Sequence, residues 1–461
     1  MGKSETLIHD FTQGSCTKNL IVFASPIFLS NLMQVIYNMV DMVIVGHALG
    51  KAGLSGVSVG GDVSTLLLLV AMGFSSAGQV IISQLIGQEK REKIGRFVGT
   101  MFTFLMLCAI GLGIVCFLAR RWILQIMQTP AEAWSSALSY STICICGMPF
   151  IYGYNIMSAV LRGLGDSRHP FLFVGISTVL NILLDLLLVV GLHMGAGGAA
   201  IATVFSQGVS FLCSAVFLYR RRESLGFTIA RGDFLHPDRE MLAGLLKLGI
   251  PMAIKNAAVM FSKLFVNAWI NSYGVAVSAF SGVASKIANT VSLFSNSLNA
   301  AGASIIGQNI GSKLYDRVKK TLFAMFRITL LITVVLSLLM YLFPNQIYGA
   351  FTSDPEVLAI GATYLPIAIV MFFGSAVRAP MNGLINGSGN YRVNFVTAIL
   401  DGIVIRIGLS LLFGLALRMG AHGFWLGDAI AGYTPFFIGL FFYRSGVWKK
   451  GMQTESAPVS L

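Results

Sequence analysis

The stretch AGQVIISQLIG at residues 77–87 returns in the second half of the chain as AGASIIGQNIG at residues 301–311. Two further blocks return at almost the same offset in the numbering. Gly163, Gly165 and Arg168 reappear as Gly387, Gly389 and Arg392, and HMGAGG at 193–198 reappears as RMGAHG at 418–423. Three blocks in one register are hard to obtain by chance, so the chain consists of two tandem copies of one unit.

Composition places both copies in a membrane. The chain is 55% hydrophobic and 11% charged, with a mean hydropathy of +0.77, whereas soluble domains carry about 25% charged residues. The polar start, residues 1–18, is followed by an apolar stretch too long for a signal peptide, which we expect to remain as a spanning helix. No soluble basic surface with aromatic residues is present, so the net charge of +13 does not indicate nucleic-acid binding.

Twelve apolar runs are long enough to cross a bilayer. The predicted fold is therefore an all-α integral membrane protein with twelve transmembrane helices in two six-helix lobes, a parallel 6+6 repeat. The predicted organisation is an N-lobe at 1–219, a cytoplasmic linker at 220–242, a C-lobe at 243–450 and a tail at 451–461. The predicted spans, numbered 1 to 12, are 20–46, 53–85, 94–119, 132–160, 169–192, 196–219, 243–272, 277–309, 318–343, 356–386, 393–417 and 421–444.

Basic residues in the loops indicate the orientation. One side of the predicted topology carries 22 of the 32 Lys and Arg residues, and the other side carries four: Lys51, Arg120, Arg121 and Arg418. Because loops rich in Lys and Arg stay in the cytoplasm, we expect a multi-pass protein of the inner (plasma) membrane with both termini cytoplasmic.

Polar groups inside hydrocarbon are costly and are functional candidates by default. At 1.5 Å per residue, Asp41 lies about 7 Å and Asp185 about 10 Å below the outer ends of spans 1 and 5. Asn181 lies one turn deeper, Thr203 of span 6 lies at a similar depth, and span 2 brings Asp62 to that level. These oxygens suit Na⁺, and two neighbouring carboxylates would equally share one proton. Alternatively, the cluster only ties spans 1, 5 and 6 together.

The second lobe carries basic residues at matching positions. With a shift of 224 or 225, Asp62 corresponds to Lys286, Asn181 to Arg406 and Thr203 to Asp428, and Lys263 lies close to the counterpart of Asp41. One hypothesis is that Lys263, Lys286 and Arg406 face a central cavity and meet an anionic or zwitterionic substrate. The alternative is internal pairing of Arg406 or Lys286 with Asp428 or Asp401.

Two prolines and a glutamine complete the candidate residues. Pro26 of span 1 and Pro251 of span 7 match at an offset of 225, and each removes a helix hydrogen bond, which favours a hinge or a tolerated kink. Gln34 lies two turns below Asp41 and is a candidate for the cavity wall. No Walker motif or catalytic triad appears, so we expect no enzyme, no cofactor and no metal beyond Na⁺ at Asp41, Asn181 and Asp185.

The sequence resembles the multidrug and toxic compound extrusion (MATE) family over roughly residues 15–450. The resemblance rests on the 6+6 repeat, on Pro26, Gln34 and Asp41, on QxxG at 84–87 and 308–311, and on RGxGDSRxP at 162–170. It implies a V-shaped fold and export of organic compounds by Na⁺ or H⁺ antiport. Asp41, Asn181, Asp185 and Thr203 resemble the coupling residues of the DinF-like branch. Span 7 lacks the acid of NorM-type members.

We therefore expect a secondary antiporter that exports a small organic compound or drug in exchange for Na⁺ or H⁺, with the two lobes opening alternately. A flippase for a lipid-linked or anionic metabolite is the alternative, and a channel or sensor is a third class. The expected partners are a small organic substrate and membrane lipid, with no nucleic acid, and the expected state is a monomer.

Overall fold

A computed structural model describes residues 8–221, 225, 227 and 229–451, and every described element is helical. The predicted tail beyond Gly451 and part of the predicted linker, residues 222–224, 226 and 228, lie outside the described residues. The α-helices are α1 (Cys16–Gly87), α2 (Glu92–Ile126), α3 (Trp134–Cys146), α4 (Met148–Gly163), α5 (Arg168–Asp185), α6 (Gly195–Arg221), α7 (Arg231–Leu235), α8 (Arg239–Asn271), α9 (Val275–Gly311), α10 (Tyr315–Leu342), α11 (Pro344–Gly349), α12 (Pro355–Gly387), α13 (Tyr391–Ile399), α14 (Ile405–Leu411), α15 (Gly420–Ala431) and α16 (Thr434–Ser445).

These helices form the twelve predicted spans. Nine helical segments within the described residues are long and apolar enough to cross a membrane, and α3 with α4, bent by 51°, makes one more. The 72-residue α1 is interrupted at Gly50, whose φ of 63° and ψ of −162° are not helical, so it holds spans 1 and 2. The more polar α9, with 37 residues, is span 8. The predicted all-α membrane fold is confirmed.

The chain packs as two compact units, which differ from the predicted lobes at their edges. The first unit holds the chain up to Asp10 and Ser25–Gly249, and the second holds Phe11–Ala24 and the chain from Ile250 onward. In the first unit, the linker helix α7 lies against α2, where the Phe234 carbonyl accepts from Thr103 at 2.8 Å. In the second, Phe11 N donates to Gln308 Oε1 at 2.6 Å.

The sequence repeat is also a repeat of backbone geometry. Left-handed or otherwise positive φ values occur at five pairs of positions that share the offset of the sequence repeat, 224 or 225. Such conformations are uncommon, so their recurrence in pairs marks equivalent loops in the two copies. The pairs are Gly50 and Gly274, Glu89 and Lys313, Gly165 and Gly389, His193 and Arg418, and Gly195 and Gly420.

The most obvious repeated motifs have a structural explanation. A Cβ on Gly163 would lie 2.9 Å from Ile82 Cβ, and one on Gly387 would lie 2.7 Å from the Ala303 carbonyl oxygen. Only glycine permits this close approach of two helices in each unit. Asp166 accepts from the N–H groups of Arg168 and His169 at the start of α5. Asn390, its equivalent, caps α13 in the same way.

Candidate functional site

Two polar faces meet inside the first unit. Tyr37 and Asp41 lie four positions apart on α1, and Asn181 and Asp185 lie four apart on α5, so each pair shares one helix face. The Asp41 and Asp185 carboxyl groups lie close enough for their charges to interact. With its amide turned so that both neighbours are satisfied, Asn181 donates to Asp185 Oδ2 at 3.0 Å, and its oxygen accepts from the backbone N–H of Thr203 at 3.3 Å. We call Asp41, Asn181, Asp185 and Thr203 the carboxylate cluster.

The carboxylate cluster is buried and carries no balancing base. The exposed fraction is 0% for Asp185, 1% for Asn181 and 7% for Asp41. One oxygen of each carboxyl group, Asp41 Oδ1 and Asp185 Oδ1, receives no hydrogen bond from the described part of the chain. Among the described residues, no Lys, Arg or His forms an ion pair with either acid. Two neighbouring carboxylates cannot easily both ionise in such surroundings, so a shared proton or a bound cation would stabilise them.

A small cavity lies beside this cluster in the first unit. It encloses about 10 Å³, which is roughly the space that one water molecule or one small ion occupies. The predicted cavity residue Gln34 lines it together with Asn181. The Tyr37 hydroxyl lies 3.4 Å from Thr203 Oγ1 and so links α1 to α6. The lining side chains include Gln34, Tyr37, Ser177, Thr178, Asn181 and Gln207.

Helix irregularities accompany the acids in both units. A π-helical segment, Leu186–Gly191, begins directly after Asp185, and another, Leu400–Val404, contains Asp401. π-helical turns are rare and often occur at functional sites. The widened turn changes which side chains face inward, and this irregularity cannot be deduced from apolar periodicity.

The second unit holds a buried ion network instead. Asp401, with no exposed surface, accepts from Arg378 at 2.8 Å and from Arg406 at 3.0 Å. Arg406 also pairs with Asp428 and is only 2% exposed. The hypothesis that Arg406 faces a cavity therefore does not match its position, because both carboxylates hold its guanidinium inside the unit. The predicted alternative, internal pairing, describes Arg406.

The equivalent residues join equivalent helices in the two units. Asn181 of α5 contacts Thr203 of α6, and at the matching place in the second unit Arg406 of α14 contacts Asp428 of α15. A neutral amide in the first unit is thus replaced by a guanidinium in the second. The acids of the second unit therefore pair with the Arg406 guanidinium, whereas Asp41 and Asp185 in the first unit have no basic partner among the described residues.

The remaining predicted residues lie outside the carboxylate cluster and the buried ion network. Asp62 and Lys286 are exposed, and within the described residues no hydrogen bond or ion pair joins Asp62 to the carboxylate cluster. Lys263 lies beside Asp428 in a pocket of about 190 Å³ within the second unit. Lys286 does not line that pocket. Pro26 and Pro251 lie inside the helices α1 and α8, where their role as hinges stays a prediction.

Sequence reasoning missed several residues of these sites. Tyr37 could have been found from its spacing of one helical turn to Asp41. Lys255 stands out in the sequence as a base inside a span, but its hydrogen bond to Asn382 Oδ1 at 2.6 Å was missed, because the two residues lie far apart in the chain and no local pattern marks the pair. Trp425 and Tyr364, which line the second pocket, look like ordinary core aromatics in the sequence.

Curated relatives match nearly the whole chain. It is 30% identical over 447 residues to "Probable multidrug resistance protein YoeA" of Bacillus subtilis, with 96% of each chain covered. It is 28% identical over 441 residues to "Probable multidrug resistance protein YpnP" of the same organism, covering 96% of this chain and 98% of that one.

Solved structures share the fold. A transporter of the MOP superfamily from Pyrococcus furiosus, described under the words "Reverse polarity of binding pocket suggests different function", matches with a TM-score of 0.88 at 21% identity, covering 96% of this chain and 98% of that one. A structure described as "MATE in the bent conformation" matches with a TM-score of 0.87 at 22% identity, covering 98% and 99%.

The family model described as MatE matches residues 26–187 and again residues 251–431. The two matches begin at the paired prolines Pro26 and Pro251, in the register of the sequence repeat, and together they cover most of both units. With the twelve spans and the relatives above, they confirm the resemblance seen in the sequence: the chain belongs to the MatE family of multi-pass membrane transporters.

Proposed function

We propose that this transporter is a secondary antiporter that exports a small organic compound in exchange for Na⁺ or H⁺. The observation that carries the proposal is the buried pair Asp41 and Asp185, each with an oxygen that receives no hydrogen bond from the described residues. Their charge is compensated only when a proton or a cation arrives. Relatives whose names describe multidrug resistance support a small organic substrate.

The carboxylate cluster supplies a coupling step from this chain's own residues. Asn181 holds Asp185 in place through its amide, and Tyr37 and Thr203 tie α1 to α6. A proton or Na⁺ bound between the acids would draw α1 and α5 together, and its release would allow them to separate. Since the free carboxylates repel each other, the ion gradient would drive the two lobes between states that open to either face of the membrane in turn.

The test uses the full chain in proteoliposomes with an imposed Na⁺ or pH gradient. Efflux of cationic, neutral and anionic compounds is followed for wild type, for Asp41→Asn and for the control variant Glu132→Gln. The control removes an exposed acid of the same unit. We expect gradient-driven efflux that Asp41→Asn abolishes and Glu132→Gln retains. Efflux that is equal in wild type and Asp41→Asn would overturn the coupling role, and passive flux without a gradient would indicate a channel.

A second candidate is the flipping or export of an anionic metabolite. Among the described residues, the bases Lys255, Lys263, Arg378 and Arg406 outnumber the acids Asp401 and Asp428 in and around the ion network of the second unit. This surplus distinguishes the second unit from the acidic first one and favours a negatively charged cargo. The anionic arm of the efflux panel tests this candidate.

A further inference from the structure

The second unit contains a pocket with a more defined chemistry than the coupling cavity. Helices α8, α9, α12 and α15 enclose about 190 Å³. Pockets for drug-sized ligands measure roughly 300–1,000 Å³, so this one suits a small molecule or one end of a larger one. The lining residues that matter below are Lys263, Asn267, Asn289, Tyr364, Trp425 and Asp428.

Hydrogen-bond donors in this pocket lack acceptors. Within the described part of the chain, Lys263 has no carboxylate within 4.0 Å and donates no hydrogen bond. The Trp425 side chain is buried, and its indole N–H finds no partner there either. The Tyr364 hydroxyl reaches only Met371 Sδ at 3.9 Å, a weak acceptor. Trp425 and Tyr364 are buried, where donors without a good acceptor are uncommon, whereas Lys263 is exposed at the pocket. The pocket therefore presents donors that the acceptor groups of a ligand could satisfy.

The pocket cannot supply that acceptor from its own acid. Asp428 is the only carboxylate among the described lining residues, and Arg406 already engages it. Lys263 interacts with Asp428 only through space and is opposed by Arg406 and Arg378. With Lys255 included, the bases of this region outnumber its two described acids, so the positive charge of Lys263 has no carboxylate partner of its own. A bound anion is the simplest group that would balance it.

The rest of the pocket suits an apolar body. The Tyr364 and Trp425 rings pack edge to face with centroids 5.2 Å apart, and Phe280 supports both of them from behind. These contacts fix the aromatic wall, which an aromatic ligand ring would extend. Apolar walls with a few placed polar groups are typical of small-molecule sites.

We propose that this pocket binds small organic monocarboxylates, with the carboxylate held by Lys263 and the Trp425 N–H and the apolar part packed on Tyr364. The proposal names the substrate class of the antiporter and so rests on the function proposed above. It assigns recognition to the second unit and ion coupling to the first. Because Asp428 is already paired, the described lining offers no free acid for an organic cation.

Equilibrium binding tests this assignment without any gradient. The full chain, purified in detergent, is dialysed against radiolabelled benzoate, and unlabelled benzoate, benzamide and benzylammonium compete for the site. We expect only benzoate to compete well. Lys263→Gln should weaken benzoate binding by about tenfold or more, as the loss of a charge-assisted hydrogen bond predicts, and Lys263→Arg should retain most of it. Lys247→Gln, which removes an exposed lysine earlier on α8, is the matched control.

Three outcomes overturn the proposal: no benzoate binding by wild type, benzylammonium competing best, or benzoate binding unchanged in Lys263→Gln. Trp425→Phe, which keeps the ring but removes the N–H, gives a second variant and should weaken binding a few-fold. Benzoate binding by wild type without Asp41-dependent efflux would defeat the antiport proposal alone, and Asp41-dependent efflux without benzoate binding would defeat this one alone.

Discussion

Asn181 and Arg406 occupy equivalent positions in the two copies, yet they meet their carboxylates in different ways. Asn181 donates one neutral hydrogen bond to Asp185 and leaves the pair with Asp41 short of positive charge. Arg406 brings a full charge between Asp401 and Asp428. A single residue type at one repeat position thus distinguishes acids that pair with a buried guanidinium from acids that do not.

Replacing Arg406 should therefore destabilise the protein before it affects any substrate. Arg406→Met removes the ion-pair partner of Asp428 and leaves Asp401 paired with Arg378 alone. Removing one partner from a buried ion pair costs about 3–5 kcal/mol of stability. We expect a clearly lower melting temperature in detergent, measured by intrinsic fluorescence. Arg406→Lys should recover only part of the loss, since an ammonium cannot bridge two carboxylates as a planar guanidinium does.

The exposed Arg444 of α16 is the matched control, and Arg444→Met should melt like wild type. An Arg406→Met protein that melts at the wild-type temperature but has lost transport would contradict the internal role. It would place Arg406 in the path of the substrate instead.

Depth along a helix, but not rotation about its axis, is predictable for the site residues. Asp41, Asn181 and Asp185 share a similar distance from the span ends, and the structure brings them together. Asp62 shares their depth but lies on an exposed face. A span surrounded by lipid is apolar on every side, so its sequence lacks the polar stripe that fixes rotation in a soluble helix. The pairing of Lys255 with Asn382 escapes prediction for the same reason.

The elements themselves follow closely from composition. Predicted spans such as 196–219 and 356–386 agree with α6 and α12 to within a few residues, because the bilayer sets the length of an apolar run. The break in α1 at Gly50 lies in the predicted connection between spans 1 and 2. Two irregular features escape prediction: the 51° bend between α3 and α4 and the π-helical segment after Asp185. Each depends on packing or on a single backbone conformation rather than on average hydropathy.

Two glycines of α1 should respond oppositely to the same substitution. Gly50 adopts φ 63° and ψ −162°, a region open essentially only to glycine, so Gly50→Ala should destabilise the protein by about 1–3 kcal/mol. A Cβ on Gly61 would meet no atom within 4 Å, and Gly61→Ala should be neutral or stabilising by up to about 1 kcal/mol. Melting temperatures in the same detergent measure both changes.

Gly274, the counterpart of Gly50 in the second unit with a φ of 118°, extends the comparison. Gly274→Ala should lower the melting temperature as Gly50→Ala does. If Gly50→Ala leaves the melting temperature unchanged or raises it, the break at Gly50 is not a required feature of the fold.

At the scale of the whole molecule, the two units share a backbone plan and divide the chemistry. Both have the paired loops with positive φ and the same close helix contacts at Gly163 and Gly387. The first unit concentrates buried acid, and the second concentrates buried base. Duplication followed by divergence of a few polar positions would leave ion coupling to the first unit and substrate binding to the second. The efflux experiment tests the first assignment, and the benzoate-binding experiment tests the second.

The parallel repeat makes a prediction about topology that can be tested at four sites. Six spans separate each position from its equivalent, so Glu89 and Lys313 should lie on one side of the membrane and His193 and Arg418 on the other. All four are exposed loop residues. The positive-inside rule assigns the first pair, which neighbours several lysines and arginines, to the cytoplasm.

Labelling of single cysteines in intact cells distinguishes the possible arrangements. Each cysteine is placed in a background without the six native cysteines and is exposed to a membrane-impermeant maleimide. His193→Cys and Arg418→Cys should react at once, and Glu89→Cys and Lys313→Cys only after permeabilisation. If the members of either pair behave differently, the number of spans between them is odd and the parallel 6+6 arrangement is wrong; if both pairs agree but with the sides exchanged, only the orientation is wrong.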